Sequence, residues 1–464
     1  QNKPTKARSY AGKVLLTVKT LESGTGARSH SFISCDTPAV DTLVSRVSQD
    51  LVTNVTCSED AQTPPEALPY AAIPSDPKLC ELKDMSSGRA KYGHLIVGFP
   101  RTSNNLDPLE RHKVTVIPLD WEDFSGKGLP STVHRPAVEK FINYYNDVSY
   151  GSMKLELDFA DQWFRLPGQM LDYKVTENDY QNAQSERTKL QKTRLLHNGV
   201  KTADPSVDFS DTAIVIFVLP EGQTALDLTL QGFWNADLPS PAQSNEGLIK
   251  NFFTAGNAFP LKEVWSYYAH EFGHTIMLPD YYLQVGNFGN DAQIQIPVGP
   301  FSGFDMMSTQ GGPSRTMSLW SRFLMGWTQD SHFYCADYSQ FQDTSLSLSP
   351  IDQVDNEMKG AIFPVSASRA VIVESRRETI YDEKTTRSRN GVIVYTVDTT
   401  INHGEGTLSL VPPQGRGLYY PYPGSAGQPQ LDAMLYVGNS VSVEGLTITL
   451  NASGDTDLVS VKKD

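Results

Sequence analysis

The order of apolar and polar positions changes twice along the 464-residue chain. Residues 1 to about 90 alternate strand-like runs, KVLLTVKT and HSFIS, with polar turns, and then pass through the proline-rich stretch AQTPPEALPYAAIPSDPK. Prolines lack the N–H that helices and sheets require, so this stretch predicts a linker. We therefore expect a small N-terminal module that contains β-strands.

The middle region, from about 91 to 330, mixes two periodicities. The runs HLIVGF, KVTVIPL and TAIVIFVL predict buried strands, whereas RPAVEKFINYYNDVS predicts an amphipathic helix. After LWSRFLMGW only strand-like runs follow, including AVIVESRR and GVIVYTVD, with turn residues between them. The pattern predicts an N-terminal module (1–90), a mixed α/β (α+β) domain (91–330) and a C-terminal β-sandwich (331–464).

One predicted helix carries two faces of different character. In LKEVWSYYAHEFGHTIM, large apolar side chains recur at the spacing of a buried helical stripe. They are Val264, Trp265, Tyr268, Phe272 and Ile276. His270 and His274 are one helical turn apart and therefore share another face of the same helix.

Composition and charge exclude several classes of protein. Hydrophobic residues make up 39% and charged residues 20%, without low-complexity tracts, so the chain is globular rather than disordered. A net charge of −14 argues against nucleic-acid binding, which needs a basic face. The longest apolar run, AIVIFVL, is far shorter than the roughly 20 residues of a membrane-spanning helix. We expect a monomer with no membrane span and no nucleic-acid partner.

The first residue and the cysteines favour a secreted protein. The sequence begins with Gln1 and has no basic-then-apolar leader, as in a mature product whose secretory signal has been removed. Four cysteines, none at zinc-finger spacing, favour two disulfides, for which three pairings exist. We prefer Cys35 with Cys57 as a local loop and Cys80 with Cys335 as a long-range link.

The stretch HEFGHTIMLPD, residues 270 to 280, has the spacing of a zinc site. Two imidazoles one turn apart can both reach a Zn²⁺ at about 2.0 to 2.1 Å. Glu271 lies beside them and can act as general base. A polar patch on an ordinary helix would also place His270 and His274 on one face, so the next ligand decides between the two interpretations.

The residues after the helix resemble the metzincin pattern HExxHxxGxxH/D, with Asp280 at the last position. That resemblance implies a metzincin-like zinc peptidase fold with Asp280 as third ligand. Pro279 ends the helix, since it has no N–H and disfavours helical geometry at the preceding residue. Met277 replaces the glycine of the pattern, at a cost on the order of 1 kcal/mol in a left-handed turn, unless the helix runs slightly longer. Asp291 and Asp305 are the alternative third ligands.

Three parts of the chain resemble the immune inhibitor A-type metallopeptidases. The first is the stretch after the predicted zinc helix, SGFDMMSTQGGPSRTMSLWSRFLMGW, residues 302 to 327. The others are FINYYNDVSYGSMKLELDFADQWFRLP and the pair AVIVESRR and GVIVYTVD. The resemblance spans about 92 to 400. It implies His270, His274 and Asp280 as zinc ligands and Glu271 as base. It also implies that Met307 forms the methionine turn beneath the metal, with Met306 as the alternative and simple core packing as the plainer interpretation.

The function that follows is a secreted zinc endopeptidase acting on protein or peptide substrates. A second hypothesis is a glycan- or protein-binding protein that uses GRGLYYPYPG, residues 415 to 424, with an incidental metal site. A third makes residues 1 to 90 an inhibitory pro-segment, with Cys80 or an acidic residue capping the zinc.

Two further features of the predicted site stay open at this point. The loop QVGNFGNDAQ, residues 284 to 293, could bind Ca²⁺, but its few acids favour a role at the rim of the cleft. Four residues close in sequence to the predicted ligands are candidates for stabilising the oxyanion of the transition state, and none of them is assigned this role. They are Tyr267, Tyr281, Tyr282 and His332.

Overall fold

The computed structural model divides the chain into two compact units, residues 1–71 and 72–464. In the first unit it describes the backbone of 6–10, 13–19 and 28–34. In the second unit it describes residues 76–87, 95–101, 106–175, 186–226, 230–233, 238, 240–257, 259–282, 301, 303–308, 314–339, 341–382, 390–413 and 433–464.

The described residues of the first unit form an antiparallel sheet of three strands. Its strands are β1 (Lys6–Tyr10), β2 (Lys13–Lys19) and β3 (Arg28–Ser34), in the order β1-β2-β3. The runs KVLLTVKT and HSFIS, which predict strands, coincide with β2 and the second half of β3.

Helices are few in the described part of the second unit. The α-helices are α1 (Pro130–Val148), α2 (Glu186–Ala203), α3 (Val264–Thr275) and α4 (Leu319–Met325). Short 3₁₀-helices cover Pro77–Cys80, Met170–Tyr173 and Asp330–His332. Local chemistry explains both ends of α4: the Ser318 side chain accepts a hydrogen bond from the Ser321 N–H, and Gly326 ends the helix at φ 77°. None of the described helices has the length and apolar character needed to cross a bilayer.

The strands of the middle region are β4 (Arg111–Asp120), β5 (Lys154–Phe159), β6 (Phe164–Arg165), β7 (Thr212–Val218), β8 (Leu230–Phe233), β9 (Ala242–Gln243), β10 (Leu248–Ile249) and β11 (Asn251–Thr254). The helices α1 and α3 pack together beside a mixed sheet with the order β5-β4-β7-β11-β8. In this sheet β4 is parallel to β5 and β7, and β7 is parallel to β11, whereas β8 is antiparallel to β11. The short strand β6 pairs in parallel with the end of β4, and a small antiparallel pair, β9-β10, lies off this sheet.

The C-terminal strands form two further sheets. Their bounds are β12 (Phe333–Cys335), β13 (Thr344–Leu348), β14 (Gly360–Pro364), β15 (Arg369–Arg376), β16 (Gly391–Asp398), β17 (Leu408–Leu410), β18 (Ser440–Val443), β19 (Leu446–Ser453) and β20 (Asp457–Lys463). One sheet has five strands in the order β12-β14-β15-β16-β17, and the other has four in the order β13-β20-β19-β18. The architecture is therefore mixed α/β, with several sheets and few helices, consistent with an α+β fold.

The five-stranded sheet is buried on both faces. Val371 and Val373 of β15 belong to a hydrophobic cluster shared with the four-stranded sheet. Ala370 and Ile372, which point the other way, belong to the cluster formed by α1, α3 and α4. Two buried faces explain why AVIV is apolar at every position instead of alternating. The core therefore continues across residue 330, the boundary that the sequence suggests.

One predicted strand is wrong within its described residues. HLIVGF was expected to form a strand, but residues 95–99 take part in no named strand. Their N–H groups bind elsewhere: Ile96 donates to Met277 O at 3.0 Å, and Phe99 donates to Leu82 O at 2.8 Å. The Val97 N–H donates to the Asp84 carboxylate at 3.1 Å. The apolar run is thus a buried connection whose hydrogen bonds go to loops.

Cys80 and Cys335 form a disulfide between residues 255 positions apart, with 6.1 Å between their Cα atoms. The predicted long-range link is thereby present, whereas Cys35 and Cys57 lie outside the described residues. A disulfide-bonded sulfur has no thiolate to offer a metal, so the hypothesis that Cys80 caps the zinc is wrong.

Candidate metal centre

The helix α3 presents the predicted site in a buried environment. Fractional exposure is 3% for His270, 7% for Glu271 and 8% for His274. Phe272, on the opposite side, packs edge-on against Phe141 and Tyr145 of α1. The apolar stripe thus anchors the helix, and this fixes the direction in which the two histidines point.

The helix α3 ends in a left-handed turn at Met277, where the sequence pattern expects a glycine. Met277 adopts φ 83°, and its N–H donates to His274 O at 3.2 Å. The Leu278 N–H donates to Gly273 O at 2.9 Å, which completes a Schellman motif. The left-handed conformation costs about 1 to 2 kcal/mol for a non-glycine residue. Burial of the Met277 side chain, 2% exposed, offsets a cost of this size, since burying such a side chain contributes about 1.5 to 3 kcal/mol.

This reversal brings Asp280 back to the two histidines. Asp280 Oδ1 is 3.0 Å from His270 Nε2 and 3.3 Å from His274 Nε2. One atom from each of the three residues lies within 4.8 Å of the others, and no second group of this kind occurs among the described residues. Asp280 itself is 3% exposed. The described geometry thus brings together the three residues that the sequence predicts as ligands.

Hydrogen bonds determine which ring nitrogens carry the protons. His270 Nδ1 is 3.0 Å from Met306 O, and His274 Nδ1 is 2.9 Å from Leu278 O. A carbonyl oxygen only accepts, so each Nδ1 must donate and carries the proton. In the neutral ring each Nε2 then offers a lone pair, directed at the Asp280 carboxylate. Three electron-rich atoms converge, an arrangement that a cation between them stabilises.

The electrostatics of the site agree with this need for positive charge. Burial disfavours the charged form of His274, but the Asp280 carboxylate outweighs burial and raises the pKa of His274 to about 9. Burial likewise opposes ionisation of Asp280, yet the neighbouring histidines hold its pKa well below the usual value. The carboxylate is therefore ionised and attracts either a proton on His274 or a metal ion.

Glu271 differs from the three clustered residues. Among the described residues no hydrogen bond reaches its Oε2 atom, which is buried. Burial raises the pKa of Glu271, with a smaller contribution from Asp280, while His270 and His274 oppose the rise. A carboxylate in such surroundings is a better base than one in water, because its proton affinity is higher.

The two methionines of the predicted turn have different contacts. A Cβ atom built on Gly273 would lie 2.3 Å from Met307 Sδ, so the thioether packs directly against the helix between the histidines. Met306 instead contributes the backbone oxygen that binds His270. The turn is also tied to the segment after the helix, because the Tyr281 N–H donates to Met307 O at 3.0 Å.

Asp305, one of the alternative third ligands, lies elsewhere in the turn. Its carboxylate accepts hydrogen bonds from the N–H groups of Met307 at 2.8 Å and Ser318 at 2.7 Å. It also accepts a bond from the Ser321 hydroxyl at 2.8 Å. These donors hold the turn against the start of α4, so Asp305 has a structural role. Asp291, the other alternative, lies outside the described residues.

The residues considered for oxyanion stabilisation have mostly structural contacts. The Tyr281 hydroxyl is 3.1 Å from the Ser321 hydroxyl, and the Tyr267 hydroxyl donates to Leu230 O at 3.4 Å. His332 accepts a hydrogen bond from the Gln329 N–H at 3.3 Å. The half-buried Tyr282 is the exception, because its ring stacks on His270 with 6.0 Å between centroids.

Sequence reasoning missed one residue of the site, His403. Its Nδ1 accepts a hydrogen bond from the Asp280 N–H at 2.8 Å, and its ring is 5.8 Å from that of His274. His403 lies in the connection between β16 and β17, 123 positions from Asp280. No local periodicity or spacing links two residues so far apart, so only the tertiary structure reveals the contact.

A cavity of about 220 Å³ lies between the sheet and the helices α1 and α3. It is lined by the ends of β7 and β11 and by residues of α1 and α3, including His134 and Tyr268. Burial lowers the pKa of His134 to about 4, so this imidazole is neutral near pH 7. Tyr268 precedes His270 by two residues and therefore leaves the helix on nearly the opposite side. None of the three clustered residues lines this cavity.

The loop at 284–293 and the aromatic run at 415–424 lie outside the described residues, so their predicted roles stay predictions. No protein-family model matches the chain, and no curated protein sequence matches it.

Proposed function

We propose that the chain is a secreted zinc endopeptidase of the metzincin-like, immune inhibitor A type. The observation that carries the proposal is the convergence of His270 Nε2, His274 Nε2 and Asp280 Oδ1 in a buried site beside Glu271. The resemblance of the flanking sequence motifs to that family supports the same conclusion.

The donor set suits zinc. Catalytic zinc sites use three protein ligands of imidazole and carboxylate type and leave a fourth position for water or substrate. The two carbonyl acceptors at Nδ1 orient both rings, as the outer hydrogen bonds of zinc histidines commonly do. Calcium prefers six or more oxygen ligands, so a set with two nitrogen donors does not suit it.

A bound zinc ion would supply Lewis acidity and lower the pKa of water toward 7. Glu271 accepts a proton from the attacking water as the new C–O bond forms at the peptide carbonyl. The protonated Glu271 then donates this proton to the amide nitrogen as the C–N bond breaks. The buried, raised-pKa carboxyl suits both transfers, because it holds a proton more readily than an exposed glutamate does.

Two further observations support the finer parts of the proposal. The Cys80–Cys335 disulfide suits an oxidising compartment, which agrees with secretion. The packing of Met307 against Gly273 suits the methionine turn that the family resemblance implies.

Replacement of the base tests the proposal. We expect Glu271→Gln to retain zinc, because Glu271 is not a ligand, and to reduce casein hydrolysis by at least about 10²-fold. Bound zinc is measured by elemental analysis and hydrolysis by release of labelled peptides. The matched control is Glu139→Gln on the exposed face of α1, which should retain zinc and activity.

Chelation followed by zinc addition provides the second arm of the test. Activity should disappear with a strong chelator and return with zinc in the wild-type chain. Proteolysis that persists in purified Glu271→Gln, or a wild-type chain that binds no zinc, would contradict the proposed function. Zinc binding without hydrolysis of any protein substrate would favour the alternative of a binding protein.

A further inference from the structure

The connection between β16 and β17 touches Asp280 at three points. The Asp280 N–H donates to His403 Nδ1 at 2.8 Å, and the Gly404 N–H donates to Asp280 O at 3.0 Å. His403 Nε2 is 3.5 Å from Asp280 Oδ2. Both backbone polar groups of Asp280 and one carboxylate oxygen therefore face a segment more than a hundred residues away.

The first of these contacts fixes the proton on the His403 ring. A peptide N–H only donates, so Nδ1 must accept and cannot carry a proton. The proton of the imidazole is then on Nε2, the atom that faces Asp280 Oδ2. At 3.5 Å the attraction is electrostatic rather than a short hydrogen bond. This attraction orients Oδ2 of Asp280 toward His403, so that Oδ1 faces His270 and His274.

We propose that His403 is a positioning residue that holds Asp280 so that a single carboxylate oxygen is presented to the metal. This inference rests on the proposed function, because it assigns His403 a role toward the zinc ligand. The turn after α3 brings Asp280 to the histidines, but it leaves the rotation of the carboxylate unspecified. His403 supplies that constraint, and its ring also lies edge-on to that of His274, with 5.8 Å between the centroids.

The position of His403 is itself well anchored. The Asp398 N–H donates to Thr407 O at 3.0 Å across the connection. The Thr399 N–H donates to Ser368 O at 2.8 Å, and the Thr399 hydroxyl donates to Lys83 O at 2.7 Å. These hydrogen bonds hold the loop that carries His403 in place. We therefore infer that His403 constrains the position of Asp280, and not the reverse.

The experiment compares zinc affinity among variants of the full chain. We expect His403→Ala to weaken zinc binding about 10- to 100-fold, the usual effect of removing an outer partner of a metal ligand. His403→Asn should weaken it less, because the asparagine oxygen can accept the Asp280 N–H in place of Nδ1. His197→Asn on α2, which lies outside the cluster, should bind zinc as the wild type does. Zinc affinity is measured by competition with a chromophoric chelator.

A second measurement distinguishes positioning from general stability. The visible bands of the Co²⁺-substituted protein report ligand geometry, and we expect them to change in His403→Ala. Unchanged zinc affinity and an unchanged Co²⁺ spectrum would overturn the inference, even if the metal-free variant melted at a lower temperature. If His403→Ala fails to fold, the same comparison is made with His403→Asn. A wild-type chain that binds no zinc would overturn the proposed function and this inference together.

Discussion

Gly273 lies between the two histidines of α3, where a larger residue would overlap the Met307 side chain. A Cβ atom at this position would be 2.3 Å from Met307 Sδ and 2.9 Å from Met307 Cε. Real carbon atoms do not approach sulfur so closely, so the turn or the helix would have to move. The glycine therefore serves the close approach of the thioether to the helix and not a special backbone angle.

We predict that Gly273→Ala destabilises the protein, although alanine favours helices by about 1 kcal/mol over glycine. Overpacking of a buried contact costs about 1 to 3 kcal/mol, and an overlap this severe belongs at the upper end, which leaves a net loss of about 2 kcal/mol. Urea unfolding of the metal-free protein measures the change.

The control for this prediction is Gly454→Ala, since a Cβ there would meet nothing within 4 Å. It should change stability by less than about 0.5 kcal/mol. A Gly273→Ala variant as stable as the wild type would show that Met307 is free to move away, and the turn would then not support the histidines.

At the scale of elements, a buried ion pair of the five-stranded sheet binds the turn that contains Met306 and Met307. Arg376 of β15 donates to Phe304 O at 2.7 Å and pairs with Glu374 of the same strand. Glu374 in turn accepts hydrogen bonds from the Leu319 N–H at 2.6 Å and the Tyr395 hydroxyl at 2.8 Å. The pair connects β15 to the turn and to the first residue of α4.

We predict that Arg376→Met lowers the free energy of unfolding by about 3 to 5 kcal/mol. The substitution leaves the Glu374 charge buried without its partner, and uncompensated buried charges are strongly destabilising. Urea unfolding measures the loss, and zinc affinity should fall as well, because the Phe304 segment leads into the turn. The prediction would be wrong if Arg376→Met unfolded at the same urea concentration as the wild type.

The chain offers a matched control in an exposed pair. Arg111 and Glu156 also form a salt bridge, but their side chains are 69% and 43% exposed. Pairs in water contribute about 0 to 1 kcal/mol, so Arg111→Met should have little effect. The contrast isolates burial as the reason for the expected loss at Arg376.

Local chemistry determined which elements and site residues could be predicted from the sequence. Features that depend on residues close in the chain could be predicted. They are the apolar stripe of α3, the spacing from His270 to Asp280, and the strands β4, β7, β15 and β16. HLIVGF misleads because its apolar residues are buried by loops rather than by a sheet. His403 could not be predicted, since its role arises from a contact between distant segments.

At the scale of the whole molecule, the candidate metal centre belongs to both halves of the second unit. His270, His274 and Asp280 come from α3 and its turn, whereas His403 comes from the connection between β16 and β17, beyond residue 330. The five-stranded sheet packs against the cluster that contains α1 and α3 on one face and against the four-stranded sheet on the other. The candidate site is therefore built from residues on both sides of residue 330.

The Cys80–Cys335 disulfide is a second connection between distant parts of this unit, and its contribution can be measured. It closes a loop of 255 residues, and chain-entropy arguments give a stabilisation of about 5 kcal/mol for a loop of this length. We predict that Cys80→Ala with Cys335→Ala lowers the melting temperature of the metal-free protein by roughly 5 °C. A phosphine reductant should lower the melting temperature of the wild type by a similar amount. The same reductant should have a much smaller effect on the double variant, because the bond is already absent there. Equal effects of the reductant on both proteins would place the redox-sensitive stability elsewhere in the chain.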